Sequence, residues 1–425
     1  MNYIKNSFRM AKIRAYLPCK NKKNILRNLK GTSHKVVLAI SHADLSFALG
    51  GTEMAMRNEA TPLISAGIDY LSVSPCQIVG DKFKDKIAVT INYKFIAHFR
   101  VNDLISAIQE LDDRLMAIHL HHALHWDLAQ LHNIISCRNF KVARIFIHDY
   151  YTTCKHPNLL YNDREFCGPP LASSIRCQVC RHGENRQPHI DVMSKIMLKL
   201  QSNSAKFEIA APSATCAEIW SKTHVNLQKY LRIIPHKLFT RDAANQCVAK
   251  DAYSNTPNRK LRIAYIGYTA DIKGFPEWWD TARQNEIQDI YDCYHLGAAG
   301  LHDHKIKEHP VSFVKDGPDA MIKAMKSCEI DIAILLSTVP ETYSFTCAEA
   351  IEAGVYILTS KKSGNIARLV EQEDAGLVMN DNSQLRNTLL NQNHLAQTIK
   401  DWKKTRCQIT ARWSTVIAQE TLNLL

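Results

Sequence analysis

The sequence lacks the features that place a chain in a membrane or outside the cell. Its longest uninterrupted apolar runs, such as Ile332 to Leu336, are far shorter than the ~18 residues that a membrane span needs. Basic and polar residues interrupt the amino terminus before a signal-peptide core can form. The sequence also shows no internal repeat and no low-complexity segment. We therefore predict a cytoplasmic protein with no segment that crosses a bilayer.

The cysteines do not fit a disulfide framework. Thirteen cysteines, an odd number, are scattered along 425 residues, which indicates a reducing compartment. A chain of this length with 46% hydrophobic residues can bury two cores, because domains usually have roughly 100–200 residues. Two α/β domains are the expected organisation.

Acidic residues are absent before Asp44, whereas basic residues are frequent there. The net charge of the whole chain is +12, so the charge is unevenly distributed. The basic residues before Asp44 are Lys5, Arg9, Lys12, Arg14, Lys20, Lys22, Lys23, Arg27, Lys30 and Lys35. Apolar residues alternate with them, so this basic arm could lie on an anionic membrane surface, bind nucleic acid nonspecifically or stay solvated. Nothing resembles a module that reads a nucleic-acid sequence.

A capped helix followed by a buried strand forms the clearest functional pattern. Thr342 or Ser344 can cap a helix from Phe345 to Ala353, and Gly354 fits just past its end. The apolar run Val355 to Thr359 then predicts a strand.

Two glutamates and a helix start come together in this pattern. Glu341 precedes the helix and Glu349 lies two turns into it, so both carboxylates can face one cavity at the carboxyl edge of a parallel sheet. A helix start suits a phosphate. The amides that would point to it are those of Tyr343, Ser344, Phe345 and Thr346. Carboxylates for sugar hydroxyls beside an anion site suggest a nucleotide sugar.

These residues resemble the signature of retaining glycosyltransferase family 4, in which two glutamates separated by seven residues precede a glycine, a strand and a small-residue loop. Here the signature is Glu341, Glu349, Gly354 and Ser363-Gly364. The resemblance implies the α/β GT-B architecture: two doubly wound, Rossmann-like parallel-sheet domains that face a cleft, with the C-terminal helix crossing back to the first domain. It also implies transfer of a sugar from a nucleotide-sugar donor with retention of configuration. No cofactor is required, in agreement with the lack of a D-x-D metal motif at a plausible position.

The resemblance also assigns roles to residues of the second domain. Glu341 would act at the donor sugar, Glu349 at the ribose, and Lys273 at the diphosphate with the helix amides. Gly267 and Gly297 would lie near the donor. Family members usually place an arginine after the first of these glycines.

The sequence departs from the family at that arginine. Tyr268 and Thr269 stand where it would be, which should weaken stabilisation of the leaving diphosphate. Arg368 or another basic residue could substitute, the donor could be bound differently, or the enzyme could be slow.

Two patterns in the first domain resemble family elements. Gly50, Gly51 and Glu53 follow the first strand and resemble the Gly-Gly-x-E element near the transferred sugar and the acceptor. A histidine-rich run follows the predicted strand Leu115 to Leu120. In the family a histidine at this edge contacts the donor sugar or its β-phosphate, and His122 or His121 is the catalytic candidate. Alternation along the strand predicts His119 and His121 on one face.

Four cysteines occur in an irregular stretch with the spacing C-x12-C-x9-C-x2-C. They are Cys154, Cys167, Cys177 and Cys180. The C-x2-C half fits a zinc knuckle, and a long irregular loop needs something to hold it, so we predict a candidate structural zinc. His148, His156 or His182 could replace a thiolate, and free thiols are the alternative.

The expected domain organisation has five parts. They are a basic arm (1–34), an acceptor-side domain (35–250) with a Cys-rich insertion (150–185), a linker (251–260), a nucleotide-sugar-binding domain (261–400) and a returning C-terminal helix (401–425). We also expect a strand from Val311 to Val314 and a helical chain from His394 onward.

The function expected from the resemblance is sugar transfer to a glycan or polyprenyl-diphosphate-linked acceptor in O-antigen, capsule or exopolysaccharide assembly. The basic arm suggests peripheral association with the inner face of the cytoplasmic membrane. Two alternatives stay open: a nucleotide-sugar 2-epimerase on the same frame, and a non-catalytic sugar- or partner-binding subunit with a degenerate site.

Overall fold

Strands and helices alternate along the chain, as the sequence predicts. The computed structural model describes residues 14, 16–29, 34–76, 83–241, 259–297, 300 and 303–424. The strands are β1 (Cys19–Lys20), β2 (Val36–Ile40), β3 (Asp69–Pro75), β4 (Lys86–Ile91), β5 (Lys94–Arg100), β6 (Leu115–Leu120), β7 (Phe140–Phe146), β8 (Leu160–Tyr161), β9 (Glu165–Phe166), β10 (Ser204–Ala211), β11 (Leu231–Ile233), β12 (Lys237–Arg241), β13 (Leu261–Ile266), β14 (Tyr291–Gly297), β15 (Lys307–Pro310), β16 (Ile332–Leu335), β17 (Tyr356–Ser360), β18 (Gly376–Met379) and β19 (Ile409–Trp413). The α-helices are α1 (Lys22–Asn28), α2 (Gly51–Ser65), α3 (Val101–Glu110), α4 (Leu128–Ser136), α5 (Ile175–Gln178), α6 (Arg186–Ser202), α7 (Ala214–Ser221), α8 (Phe275–Ala282), α9 (Asn285–Ile290), α10 (Phe313–Asp316), α11 (Ala320–Ser327), α12 (Phe345–Ala353), α13 (Asn365–Gln372), α14 (Leu385–Leu390), α15 (Gln392–Thr405) and α16 (Val416–Leu422).

The chain divides into two units. The N-terminal unit comprises Asn2–His236 and Ser414–Leu425, and the C-terminal unit comprises Lys237–Trp413. The division falls after His236 rather than at residue 250, because β12 pairs antiparallel with β19 inside the C-terminal unit. Most of the expected linker, up to residue 258, lies outside the described residues.

The N-terminal unit contains a mixed sheet in the order β1-β5-β4-β3-β2-β6-β7-β10-β11. In this order, the six neighbouring strands β3, β2, β6, β7, β10 and β11 run parallel to one another. The strands β2 and β6 are buried along their whole length. Such double-sided burial explains their uninterrupted apolar sequences. β4 and β5 run antiparallel, because a two-residue turn with positive φ at Asn92 and Tyr93 joins them.

The C-terminal unit contains a parallel sheet in the order β15-β14-β13-β16-β17-β18. Helices such as α12 and α13 pack against it through apolar residues that include Cys347, Ile351 and Ile366. The strand expected at Val311 to Val314 is wrong: the strand ends at Pro310, and Ser312 caps α10 by accepting a hydrogen bond from the Lys315 amide at 3.4 Å.

The C-terminal segment is not one continuous helix, contrary to the expectation for residues 394 to 425. β19 interrupts it, because its residues pair with β12 from Lys237 opposite Trp413 to Arg241 opposite Ile409. The last helix, α16, belongs to the N-terminal unit, as the resemblance implied. Its buried Ile417 and Ala418 contribute to that unit's core.

The expected basic arm is partly folded. Residues 1–13, 15 and 30–33 lie outside the described residues, but β1 pairs with β5, and Ile25 of α1 and Leu29 just after it are buried in the core of the N-terminal unit. Some apolar residues of the arm therefore serve packing. Within the described residues, no helix has the length and apolar character that a bilayer span requires.

Candidate functional site

The first group of predicted site residues lies at the topological switch point of the C-terminal sheet. β13 pairs with β14 on one side and with β16 on the other, so the strand order reverses there. In open parallel sheets, ligands bind outside the carboxyl ends of the strands at this point. Gly267 follows β13, and Ser337 and Glu341 follow β16.

The Glu341 carboxylate is fixed by two neighbours. Its Oε1 accepts a hydrogen bond from Lys273 Nζ at 2.5 Å and one from Ser337 Oγ at 2.9 Å. The main chain is fixed too, because the Glu341 amide donates to the Ser363 carbonyl and the Asn365 amide donates to the Glu341 carbonyl, each at 3.2 Å. Glu341 is buried, whereas the Lys273 side chain is 43% exposed. The buried carboxylate of Glu341 is therefore in contact with the accessible ammonium group of Lys273.

A glycine permits this arrangement beside Glu341. Gly364 forms an isolated parallel bridge with Glu341 and has φ +62°. A Cβ on Gly364 would lie 2.6 Å from the Pro340 Cα, so any side chain there would push the two segments apart. The small-residue loop of the sequence signature is thus a steric requirement.

The start of α12 faces two of the predicted glycines. Ser344 is its cap and accepts a hydrogen bond from the Cys347 amide at 3.2 Å, and Gly354 ends the helix with φ +72°. A Cβ on Gly267 would lie 3.5 Å from Thr346 Cγ2, and a Cβ on Gly297 would lie 2.2 Å from the Gly267 carbonyl oxygen. The loop after β13 therefore approaches the amino end of α12, and the end of β14 packs against that loop. A helix amino end is a favourable place for an anion.

Glu349 lies on α12 but not in contact with Glu341. No described hydrogen bond or ion pair joins the two glutamates, and the charges acting on Glu349 come from Lys237, Glu352 and Asp319. Glu349 is 8% exposed, and burial raises its pKa to about 7, with Lys237 opposing the shift. The two predicted carboxylates therefore differ: Lys273 holds Glu341, whereas Glu349 protonates readily.

The second group of predicted residues lies at the switch point of the N-terminal sheet. β2 pairs with both β3 and β6, and the predicted glycine loop follows β2. The Gly50 amide donates to Glu53 Oε2 at 2.8 Å, so Glu53 caps α2. Its other oxygen, Oε1, is buried without a hydrogen-bond partner in the described structure, 3.7 Å from His42 Nε2. Burial raises the pKa of Glu53.

His122 is held in one tautomer at this edge. Its Nδ1 accepts a hydrogen bond from the Leu124 amide at 3.0 Å, so the ring proton lies on Nε2 and is donated to Asp149 Oδ2 at 2.7 Å. The His42 ring lies 4.5 Å away, and burial followed by the charge of His122 lowers the pKa of His42 to about 4.

His121 is held inside the sheet instead. Its Nε2 lies 3.2 Å from Glu59 Oε2, its Nδ1 lies 3.1 Å from His148 Nε2, and it is 2% exposed. His119 Nδ1 contacts the other Glu59 oxygen at 2.5 Å, which confirms that His119 and His121 share a face. The structure thus distinguishes the two candidates, with His122 beside the half-exposed Asp149 and His121 in a buried network.

A small cavity, partly open to solvent, lies next to this network. His121, His148 and His236 line it together with Glu59 and Phe146. The rings of His121, Phe146 and His148 stack, and His148 also stacks on His236 with centroids 5.6 Å apart.

Comparison with known proteins identifies the fold. No protein-family model and no curated protein sequence matches the chain. HepE of Anabaena, solved in complex with UDP and glucose, has 12% identity and a TM-score of 0.52 over 92% of this chain and 97% of its own. A glycosyltransferase of Rickettsia africae has 14% identity and a TM-score of 0.53 over 92% and 94%. WaaG, a glycosyltransferase involved in lipopolysaccharide biosynthesis, has 11% identity and a TM-score of 0.50 over 87% and 94%.

The fold is GT-B. This confirms the fold class predicted from the sequence, with each of the two units of the GT-B chain built on its own sheet. Identities of this size establish the fold and not the reaction.

Three residues at the GT-B sheet edges were missed by sequence reasoning. They are Ser337, Asp149 and Glu59, which contact Glu341, His122 and His121 respectively. For Ser337 and Asp149 a signal existed, because each lies within three residues of the end of a buried strand, at the same sheet edge as the residue it contacts. Glu59 lies in the middle of α2 and has no such signal.

The predicted cysteines lie in the insertion between β7 and α6. Cys154, Cys167, Cys177 and Cys180 line one cavity there. Their side chains are buried or partly buried, and each is a free cysteine in the structure.

Proposed function

We propose that the chain is a retaining glycosyltransferase of the family 4 type, which moves a sugar from a nucleotide-sugar donor to a glycan or polyprenyl-diphosphate-linked acceptor. The observation that supports it most is the contact of Lys273 with Glu341 at the switch point, beside the amino end of α12. A cation and helix amides suit a diphosphate, and a fixed carboxylate suits sugar hydroxyls. HepE, with the same fold, was solved with UDP-glucose.

In this proposal Lys273 turns from Glu341 to the donor diphosphate. Its side chain is accessible enough for that movement, and the first amides of α12 complete the anion site. Both described hydrogen bonds to Glu341 reach Oε1, which leaves Oε2 for a hydroxyl of the donor sugar. Glu349 holds the ribose, and Gly267 and Gly297 allow the nucleotide to approach the main chain closely.

The reaction replaces one C–O bond at the anomeric carbon by another. The bond from that carbon to the diphosphate breaks with its electron pair on the phosphate oxygen, and the acceptor hydroxyl forms the new bond on the same face. The departing diphosphate takes the hydroxyl proton, so no protein base is needed. Lys273 and the helix amides stabilise the charge that develops on the leaving group.

Arg368 is our candidate for the second cation. Tyr268, which stands where the family has an arginine, is 60% exposed, and its carbonyl accepts a hydrogen bond from Tyr265 Oη at 3.0 Å. Arg368 is half-buried and lies one turn into α13, which starts beside Glu341. In this proposal its guanidinium supplies the second positive charge to the donor diphosphate.

On the N-terminal unit, His122 and Glu53 are the residues for the reacting centre and the acceptor. The unpartnered Oε1 of Glu53 can accept a hydrogen bond from an acceptor hydroxyl, and the Asp149 contact fixes the donor nitrogen of His122. His121 packs in the buried network beneath this edge of the sheet. Gly50 and Gly51 bring the main chain of α2 near the acceptor.

The acceptor class is an inference from charge and from context. The basic arm before Asp44 suits an anionic surface, so we place the enzyme at the inner face of the cytoplasmic membrane with a lipid-linked acceptor, in O-antigen, capsule or exopolysaccharide assembly. The role of WaaG in lipopolysaccharide biosynthesis supports this pathway class.

A donor screen tests the function. Purified full-length protein is incubated with each common UDP-, GDP- and TDP-sugar, with and without membrane lipid extract, and released nucleotide is followed by mass spectrometry. Glu341→Ala removes the proposed sugar contact, and Glu371→Ala, an exposed acid of the same unit, is the matched control. We expect release that needs extract, disappears in Glu341→Ala and persists in Glu371→Ala.

Other results have definite meanings. Donor binding without release by the wild-type chain would refute the transferase and favour a binding subunit, the reading that the missing arginine supports. Nucleotide release or sugar isomerisation without any acceptor would indicate the 2-epimerase.

A further inference from the structure

The insertion between β7 and α6 has little regular structure of its own. It contains only β8, β9 and α5, each of two to four residues. Segments of this kind inside a compact fold usually need a cross-link or a ligand to hold them. A small cavity lies within it, and all four predicted cysteines line this cavity.

The main chain already shapes the C-x2-C half as a tight turn. The Cys180 amide donates to the Cys177 carbonyl at 3.1 Å, and the Gly183 amide donates to the Cys180 carbonyl at 2.7 Å. A Cβ on Gly183 would lie 1.5 Å from the Cys177 carbonyl oxygen, so only glycine fits. Cys154 Sγ accepts a hydrogen bond from the His156 amide at 3.5 Å, a contact that stabilises a thiolate.

A buried arginine lies at the same cavity without an acidic partner. Arg186 is 3% exposed, and no carboxylate contacts it among the described residues. Its guanidinium donates to the carbonyls of Thr153 at 3.2 Å and Pro170 at 2.5 Å, to Thr223 Oγ1 at 3.4 Å and to Cys177 Sγ at 3.4 Å. Burying a cation without an anion is costly, so a negatively charged group bound in the cavity would stabilise Arg186.

We propose that Cys154, Cys167, Cys177 and Cys180 hold a structural Zn²⁺ as four thiolates, with Arg186 compensating part of the charge. Each thiol gives up its proton on binding, so the ion and its ligands carry two net negative charges beside the guanidinium. Four sulfur ligands in a tetrahedron are the usual arrangement of a structural zinc.

Binding requires the four sulfurs to move inward. The described groups whose ligand atoms already lie within 4.8 Å of one another are Glu59 with His119 and His121, and His156 with Asp163 and His182. The second group adjoins the cysteines, and His182 lines their cavity. It is the rival ligand set, but its carboxylate is exposed and already contacts His182 Nε2 at 2.5 Å.

Metal analysis of the full-length protein, purified without added metal, is the test. We expect one zinc ion per chain in the wild type and background zinc in each single cysteine-to-serine variant of the four. Cys216→Ser is the matched control, because Cys216 is also buried in the N-terminal unit but lies outside this cavity. His182→Ala should keep its zinc. Loss of zinc in His182→Ala with retention in Cys154→Ser would refute the tetrathiolate.

A second measurement uses only the wild-type chain, in case the serine variants do not fold. After chelation, Co²⁺ is added and the absorption spectrum is recorded. Tetrahedral sulfur ligation should give intense sulfur-to-cobalt bands and visible ligand-field bands, and added Zn²⁺ should remove both. A wild type with no bound metal, no cobalt bands and four thiols that react with a thiol reagent would overturn the proposal, as would a disulfide detected by mass spectrometry or bound iron in place of zinc.

Discussion

Lys273 Nζ donates a hydrogen bond to Glu341 Oε1 at 2.5 Å, although 68 residues separate them in the chain. The acid is buried and the base is accessible, so a diphosphate can compete for the ammonium group without unfolding the loop that holds Glu341. In the proposed enzyme, donor binding separates this pair, so that Lys273 contacts the diphosphate and Glu341 contacts the sugar.

We expect Lys273→Ala to lower nucleotide-sugar turnover on the order of 100-fold, because one charge-stabilising donor is lost at the leaving group. Initial rates with the donor found in the screen measure it. Lys361→Ala, an exposed lysine of the same unit, should retain the wild-type rate. An unchanged rate in Lys273→Ala would mean that another group neutralises the diphosphate, and Arg368→Ala would then be the next variant.

The second prediction concerns His122 and Asp149. Because Asp149 accepts the proton of His122 Nε2, Asp149→Asn should reduce turnover through the orientation of the ring. His122→Ala should cost more, and the double variant should be no slower than His122→Ala, since both changes remove one unit.

His132→Ala, on α4 away from this edge, is the control. Additive losses in the double variant would show that Asp149 acts independently of His122. Thermal unfolding of each variant separates a loss of turnover from a loss of fold.

The sequence predicts the C-terminal site well where one local pattern decides the structure. The helix Phe345–Ala353 and its stop Gly354 match, and Ser344 is the cap among the two candidates, Thr342 and Ser344, because capping and left-handed termination are local effects. The contact of Lys273 with Glu341 depends on which strands are neighbours, and no spacing along the chain shows it. Asp149 shows the same limit, since its partner His122 lies on a different strand.

The errors in the fold have similar causes. β5 forms because the turn at Asn92 and Tyr93 returns the chain alongside β4, and this pairing is not visible in the local sequence of β5. The sequence predicts a helical chain from His394 onward, whereas pairing with β12 makes Ile409–Trp413 a strand. Tertiary pairing overrides local propensity in such short segments.

The third prediction concerns the pH dependence of stability. Burial raises the pKa of Glu349 from 4.5 to about 7, so between these values the folded chain holds a proton that the unfolded chain releases. Stability should therefore fall as pH rises from about 4.5 to about 7, by up to about 3 kcal/mol.

Glu349→Gln removes this titration. Its melting temperature should match the wild type near pH 4.5 and exceed it at pH 8, whereas Glu371→Gln should follow the wild type at both. Equal shifts for the two variants, or a wild type that becomes more stable with rising pH relative to Glu349→Gln, would contradict the raised pKa.

The last prediction concerns the buried Arg144 in the N-terminal unit. Its guanidinium contacts Glu208 at 2.9 Å, and Glu420 and Thr421 of α16 at 2.8 Å each. Arg144 and Glu208 are almost fully buried, and Arg232 also contacts Glu208, so Arg144→Met leaves Glu208 with one cation instead of two and should destabilise this unit by about 1.5–3 kcal/mol.

Glu420→Gln should cost less, because Glu420 is 26% exposed and water can replace part of the contact. Gln419→Ala, an exposed neighbour on α16, is the control. The double variant Arg144→Met with Glu208→Leu should recover part of the loss, because it also removes the buried carboxylate that has lost one of its two cations. A double variant that is less stable than Arg144→Met would contradict this prediction. The loss in Arg144→Met would then come from packing rather than from charge, and the apolar face of α16 alone would hold that helix.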